Sequence, residues 1–251
     1  MDYVCRIIDI LYKTKSMETL RKRSLFVLAA LLAFTSLHAQ TADEIVNKYT
    51  AAIGGKDAIA GVKSLILESS VSVMGNDMPS TTTIVVGKGY KNESDFNGTK
   101  IVQCVSDKGG WLLNPNPMSP SGPTAMTDDQ VKAGKVQLQI DPLANYAANG
   151  YKVELLGQDS ADYKLKMTGS TVDVTYYINM KTYLVDKAVS KSPSGDGETT
   201  INFSDYRKTD GGLMYPYSET LDLPNFSLAI TFKKITVNST IDPTVFDMPK
   251  Q

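Results

Sequence analysis

From Ser64 onward the apolar residues of this chain recur at every second position, run after run, and that period limits the available folds more than any other feature. In "SLILESSVSVM", Leu65, Leu67, Val71 and Val73 share one side, while Glu68, Ser70 and Ser72 take the other. "DYKLKMTG" sets Tyr163, Leu165 and Met167 against Lys164 and Lys166. "TVDVTYYIN" sets Val172, Val174, Tyr176 and Ile178 against Asp173, Thr175 and Asn179, and "NFSLAITFKKITV" groups Phe226, Leu228, Ile230 and Phe232. Successive side chains of a strand point to opposite faces, so these runs read as antiparallel strands with one wet face. About ten to twelve such strands are expected, most joined by short turns in a meander, with "GNDMP" at 75–79 as one turn.

The stretch before the strands has a different period. In "TADEIVNKYTAAIGGKDAIAGVKSL", Thr41 and Glu44 fit a capping box, and Asp43 and Glu44 lie at the positive end of the helix dipole. Ile45, Tyr49, Ala52 and Ile53 form one apolar stripe, and Gly54 is placed to end the helix in a left-handed turn. A helix with a single apolar stripe covers something on one side only, here a sheet. A second small helix follows before the first strand.

One segment interrupts the alternation. "LLNPNPMSPSGPTAM" (112–126) holds four of the eleven prolines and cannot be a central strand. Thr127, with Asp128 and Asp129 behind it, predicts a short helix, and a second is expected from Asp141 to Ala148, stopping at Asn149-Gly150. Residues 112–150 thus form an irregular insertion, either a long surface connection or a cover over a cavity.

Residues 1–39 read as a segment outside the working domain. "METLRKRSLFVLAALLAFTSLHAQ" has a basic start (Arg21, Lys22, Arg23), an apolar core from Leu25 to Phe34 and Ala39 before Gln40, the layout of a secretory signal. It falls short of the about 20 apolar residues a membrane span needs. The expected start is Met17 and the expected cleavage follows Ala39, leaving residues 40–251 as a single domain. That part carries 20 basic against 24 acidic residues, with Arg207 its one arginine, so it has no footprint for nucleic acid.

Several chemistries are excluded by what this part lacks. The one histidine, His38, precedes the expected cleavage point, so Ser-His-Asp and Cys-His machinery and imidazole metal sites are absent. No metal-ligand spacing and no cofactor motif occurs. Cys104 has no cysteine partner and reads as a small buried apolar residue in a strand. Arg207, Asp205 and Asp210 in "FSDYRKTDGG" read as charges on the outward face of a hairpin that turns at Asp210-Gly211. Carboxylate-only hydrolysis stays possible, since glycosidases need two acids.

A leading helix, a meandering sheet and helices inserted mid-chain together resemble the LolA/LolB-like lipoprotein-carrier family of the Bacteroidetes type. The resemblance spans nearly all of 41–250, and its most specific parts are "IVNKYTAAIGGKDAIAGVKSL", "FSDYRKTDGGLMYPYSETL" (203–221) and "IDPTVFDMP". It implies a mainly β fold: a strongly curved, unclosed antiparallel barrel covered by a few helices. It also implies a soluble, non-catalytic periplasmic carrier that holds lipid or lipoprotein acyl chains in an apolar cavity and exchanges them with envelope transport proteins as a monomer. LolB-like receptors carry a lipidated cysteine where Gln40 stands. LolA-type carriers latch their helical cover with an arginine on an early strand, and the early strands here have none.

On that reading the ligand meets Leu65, Leu67, Val71, Val73, Leu165, Met167, Val174, Tyr176, Leu228 and Ile230 on the apolar side of the sheet. Trp111 is expected at the mouth, and Met118 and Met126 in the cover, where thioether chains repack around ligands of different shape. Met214 suits the same cavity. Two other classes predict something different: an integral outer-membrane β-barrel requires closure of the sheet, and an envelope glycan hydrolase requires two acids converging in a polar cleft.

Overall fold

In this computed structural model, residues 40–73, 75–114, 122–191 and 197–250 are described. The expected signal segment and Met118 lie outside them. The domain from Thr41 opens with helix α1 (Ala42–Ala52), whose capping box is complete: Thr41 Oγ1 accepts from the Glu44 amide, and Glu44 Oε2 accepts from the Thr41 amide. Gly54, at φ 121°, ends it, and a side chain there would strike the Gly212 carbonyl oxygen. Helix α2 (Gly55–Gly61) follows.

The strands then run in order: β1 (Ser64–Val73), β2 (Asn76–Val85), β3 (Gly89–Phe96), β4 (Thr99–Ser106), β5 (Gly109–Leu113) and the two-residue β6 (Thr124–Ala125). After helix α3 (Asp128–Gly134) and a 3-10 turn (Lys135–Leu138) come β7 (Lys152–Asp159), β8 (Asp162–Thr168), β9 (Asp173–Asn179), β10 (Val185–Lys191), β11 (Glu198–Lys208), β12 (Met214–Asp222) and β13 (Ser227–Val237). A last 3-10 turn spans Pro243–Phe246.

All of these strands join one antiparallel sheet in the order β6-β5-β4-β3-β2-β1-β13-β12-β11-β10-β9-β8-β7. It is an open sheet, with β6 and β7 at its two ends. The chain lays down β1 to β6 outward to one edge, crosses, and returns from the other edge so that β13 closes against β1. Laid flat, such a sheet would be roughly 58 Å wide at the usual strand spacing. The segment from Met126 to Tyr151 must therefore travel from one edge to the other, and it does so across the face that α1 covers. That topology turns a mid-chain insertion into a cover.

Register assigns the faces. Leu65 and Leu67 pair with Val237 and Ile235, while Ser69 pairs with Phe232 across a bulge, so Phe232 and Ile235 both point inward despite their odd spacing. Leu165 pairs with Leu155 and Tyr176, and Met167 with Val153 and Val174. These inner residues form the main core with Ile45, Val46, Tyr49 and Ile53 of α1.

Two local expectations are corrected. Residues 76–79 are already paired with β1, from Val73↔Asn76 to Ser70↔Pro79, so the first hairpin turns more tightly than 75–79. Residues 142–150 form successive turns and not a helix. Asp141 Oδ1 accepts from the Ala144 amide and starts a turn, but the Asn145 side chain then donates to the Asp141 carbonyl, the acceptor a helix would give the Asn145 amide. The Thr127 capping box of α3, made with Gln130, does form.

Candidate functional site

Helix α1 is held at several points over the inner face. The Met214 amide donates to the Ile53 carbonyl at 2.9 Å, Lys48 Nζ donates to the Tyr183 hydroxyl at 3.1 Å, and the Tyr146 hydroxyl donates to Asp43. Where α1 ends, packing is incomplete. A cavity of about 240 Å³ remains between its last turn, the 140–143 segment and strands β9 to β12.

Its walls are chiefly apolar. Ile53 comes from α1, Ile140 and Leu143 from the crossing segment, and Val185, Phe203 and Met214 from the sheet. Four tyrosines (Tyr49, Tyr176, Tyr206 and Tyr215) and two carboxyls (Asp141 and Glu219) complete it. Burial pushes all four phenols above their usual value, so they stay neutral at physiological pH.

The two acids are in opposite circumstances. Burial raises the Asp141 carboxyl, but it accepts from the Tyr49 hydroxyl and from the Ala144 amide at 2.7 Å, and both bonds favour its charged form. Glu219 has no hydrogen-bond or ion-pair partner among the described residues, and desolvation alone raises its carboxyl to about 7. Its side chain keeps some accessible surface because it faces the cavity. In the register it stands between Phe203 of β11 and Ile230 of β13, an acid on the apolar side of the sheet.

The residues expected to meet a ligand separate into groups. Tyr176 lines the cavity, and so does Met214. Leu65, Leu67, Leu165 and Met167 lie on the same face but are buried in its packed core, with Val174 and Ile230 against it. Val71, Val73 and Leu228 face the same way farther along β1 and β13 and are half-buried. Met126 packs at the β5 end, where a side chain on Gly110 would strike its Sδ.

Trp111 is a correction, because it does not line the mouth of this cavity. It pairs with Cys104 on the opposite face of the sheet, where both pack against Phe246 from the C-terminal segment. Trp111 Nε1 donates to the Phe246 carbonyl at 2.9 Å, and the Phe246 ring fills the space above Gly89. Cys104 is buried there as expected, its thiol pushed up to about 11 by desolvation. Arg207 and Asp205 form an exposed ion pair, also as expected.

From the sequence, Tyr49 reads only as part of the helix stripe and Asp141 only as the start of a helix, while Leu143 and Glu219 are not singled out. For Glu219 a signal existed: in "MYPYSETLD" it takes the same alternating position as Tyr215, Tyr217 and Leu221. For Asp141 none existed, since its place depends on the crossing connection.

An open curved antiparallel sheet wrapped over one leading helix and a mid-chain cover is a LolA-like fold. Solved structures agree. A LolA superfamily protein from Nitrosomonas europaea matches over 83% of this chain and 98% of its own, at 14% identity and TM-score 0.54. A domain of the outer membrane lipoprotein-sorting kind from Vibrio parahaemolyticus matches over 81% and 95%, at 14% identity and TM-score 0.53. A DUF1329 family protein from Desulfovibrio piger matches over 82% and 96%, at 12% identity and TM-score 0.50. No family model and no curated protein matches the chain. At these identities the likeness establishes the fold alone.

Proposed function

We propose that this protein is a non-catalytic periplasmic carrier that holds one acyl chain of a lipid or lipoprotein in the cavity beneath α1. The observation that supports this reading is an apolar-walled space left open between a helix and a sheet that otherwise pack tightly. Each methylene moved out of water is worth about 0.8 kcal/mol, so even a short chain repays the ordering of its carrier. At about 240 Å³ the space is a little below the roughly 300–1,000 Å³ of ordinary ligand sites. It therefore takes a short chain, or the end of a longer one. The 140–143 segment and Met214 are the walls best suited to yield, since one lies in turns and the other is a flexible thioether.

The rival readings fare less well on the same structure. An integral barrel needs a closed sheet, and this one ends at β6 and β7. Among the described residues, no helix is long and apolar enough to cross a membrane. A hydrolase needs two free acids, and although two line the cavity, Asp141 is engaged by Tyr49 and Ala144.

Native mass spectrometry of protein isolated from the periplasm of its own cells tests the carrier reading. Additional mass that is released on denaturation and identified as lipid supports it. A cavity found empty in every preparation, with no uptake of alkyl probes, overturns it.

A further inference from the structure

Of the two carboxyls in the cavity, Glu219 is the one without a hydrogen-bond or ion-pair partner among the described residues. An unpaired carboxyl beside Phe203 and Ile230 is costly to bury, and such groups in folded proteins are almost always hydrogen-bonded. The neighbouring hydroxyls do not serve it. Tyr206 donates to the Val185 carbonyl at 2.7 Å, Tyr49 donates to Asp141, and Tyr215 acts on Glu219 only through space. No lysine or arginine lines the cavity.

We propose that Glu219 receives the polar end of the ligand, and that this end is a hydrogen-bond donor, an ammonium or a hydroxyl, carried on an apolar chain. The inference rests on the carrier reading and narrows its ligand. A donor head supplies the bond that the carboxyl lacks, and an ammonium also cancels its charge. A carboxylate or phosphate head meets a like charge in a space of low polarity, with Asp141 close by and no cation to offset either. The site thus selects against free fatty acids and anionic headgroups.

The titratable groups that face Glu219 are Tyr90 of β3, Tyr206 of β11, Tyr215 of β12 and, across the cavity, Asp141. Burial keeps the three phenols neutral from pH 6 to 8. The proton that an ammonium ligand displaces therefore comes from a carboxyl, from Glu219 at its head or from Asp141, which burial also raises, and ammonium binding strengthens as pH rises across that interval.

The test compares octylamine, octanol and octanoate, each below its critical micelle concentration, by titration calorimetry on the wild type and Glu219→Gln at pH 6 and pH 8. For the wild type at pH 8, octylamine is expected to bind on the order of tenfold or more tightly than octanoate, the scale of one charge-assisted hydrogen bond. In Glu219→Gln that preference is expected to vanish while octanol still binds, which shows the cavity intact. Equal binding of octylamine and octanoate by the wild type, or a preference unchanged in Glu219→Gln, overturns the donor-head assignment and leaves the carrier reading standing. Binding of none of the three probes overturns both.

Discussion

The inner face of the sheet is built in two different ways near its β7 edge and along β1 to β3. From β7 to β9 it is hydrocarbon, with Leu165, Met167 and Ile178 at 0% exposure. From β1 to β3 the same face carries Ser69, Ser80, Thr82, Asn92 and Ser94. There the polar groups satisfy one another: Asn92 Nδ2 donates to Ser80 Oγ at 2.9 Å and to Thr82 Oγ1 at 2.8 Å, and Ser94 Oγ donates to Ser80 Oγ at 2.9 Å. Ser69, Ser80 and Thr82 are buried in the one region, as Leu165, Met167 and Ile178 are in the other. The cavity lies between the two, with Tyr176 of β9 in its wall, and its acid, Glu219, belongs to neither scheme. A face that points inward need not be oily; it must be either apolar or mutually hydrogen-bonded, and a group that is neither marks a site.

Three substitutions test that contrast. The largest effect is expected at the hydrocarbon end: Leu165→Ala should destabilise the fold by about 2–5 kcal/mol through lost burial and the cavity left behind, as read from urea midpoints. A loss under about 1 kcal/mol would mean that this end is not close-packed.

Glu219→Gln is next, and its sign depends on pH. The folded state holds the Glu219 proton until about 7, against an ordinary value near 4.5, so it binds more protons than the unfolded chain between those limits. Wild-type stability therefore falls as pH rises through that window and stays low above it. The variant should escape that fall, matching the wild type near pH 4 and exceeding it at pH 8 by on the order of 3 kcal/mol. Parallel stability-against-pH curves for the two proteins would place Glu219 in contact with water or with a partner.

Along the polar stretch, Asn92→Ala should cost about 1–3 kcal/mol, because it takes a donor from both Ser80 and Thr82 rather than merely deleting one bond. Hydrogen exchange at the β2 and β3 amides should rise in step. A neutral result would show that water reaches this stretch and replaces the amide.

Much of this was legible in advance, and the reasons are local. The Thr41 and Thr127 capping boxes depend on four consecutive residues, so they could be read directly. The grouping of Tyr163, Leu165 and Met167 on one side needed only the period of a strand. Of the Phe226 series, Leu228, Ile230 and Phe232 share the inner face, while Phe226 precedes β13 and is exposed; beyond Phe232 an unpaired Lys233 lets Ile235 turn inward as well. Trp111 misled because alternation shows that two residues share a side without saying which side the core will take. Here the C-terminal Phe246 builds a second small core on the opposite face, with the Trp111 indole bonded to its carbonyl. The expected helix at 141–148 failed for a local reason as well, since the Asn145 side chain takes a backbone acceptor.

By itself the sequence determined the antiparallel strands, the capped helix ahead of them and which residues of each strand go together, because those properties follow from neighbours a few positions apart. Only the tertiary structure decided that β13 closes on β1, that the crossing segment runs over the inner face, and that Tyr49, Asp141 and Glu219 meet around one space. Strand pairing is made by backbone groups that every residue carries alike, so partners distant in sequence leave little trace in the side chains that a sequence displays.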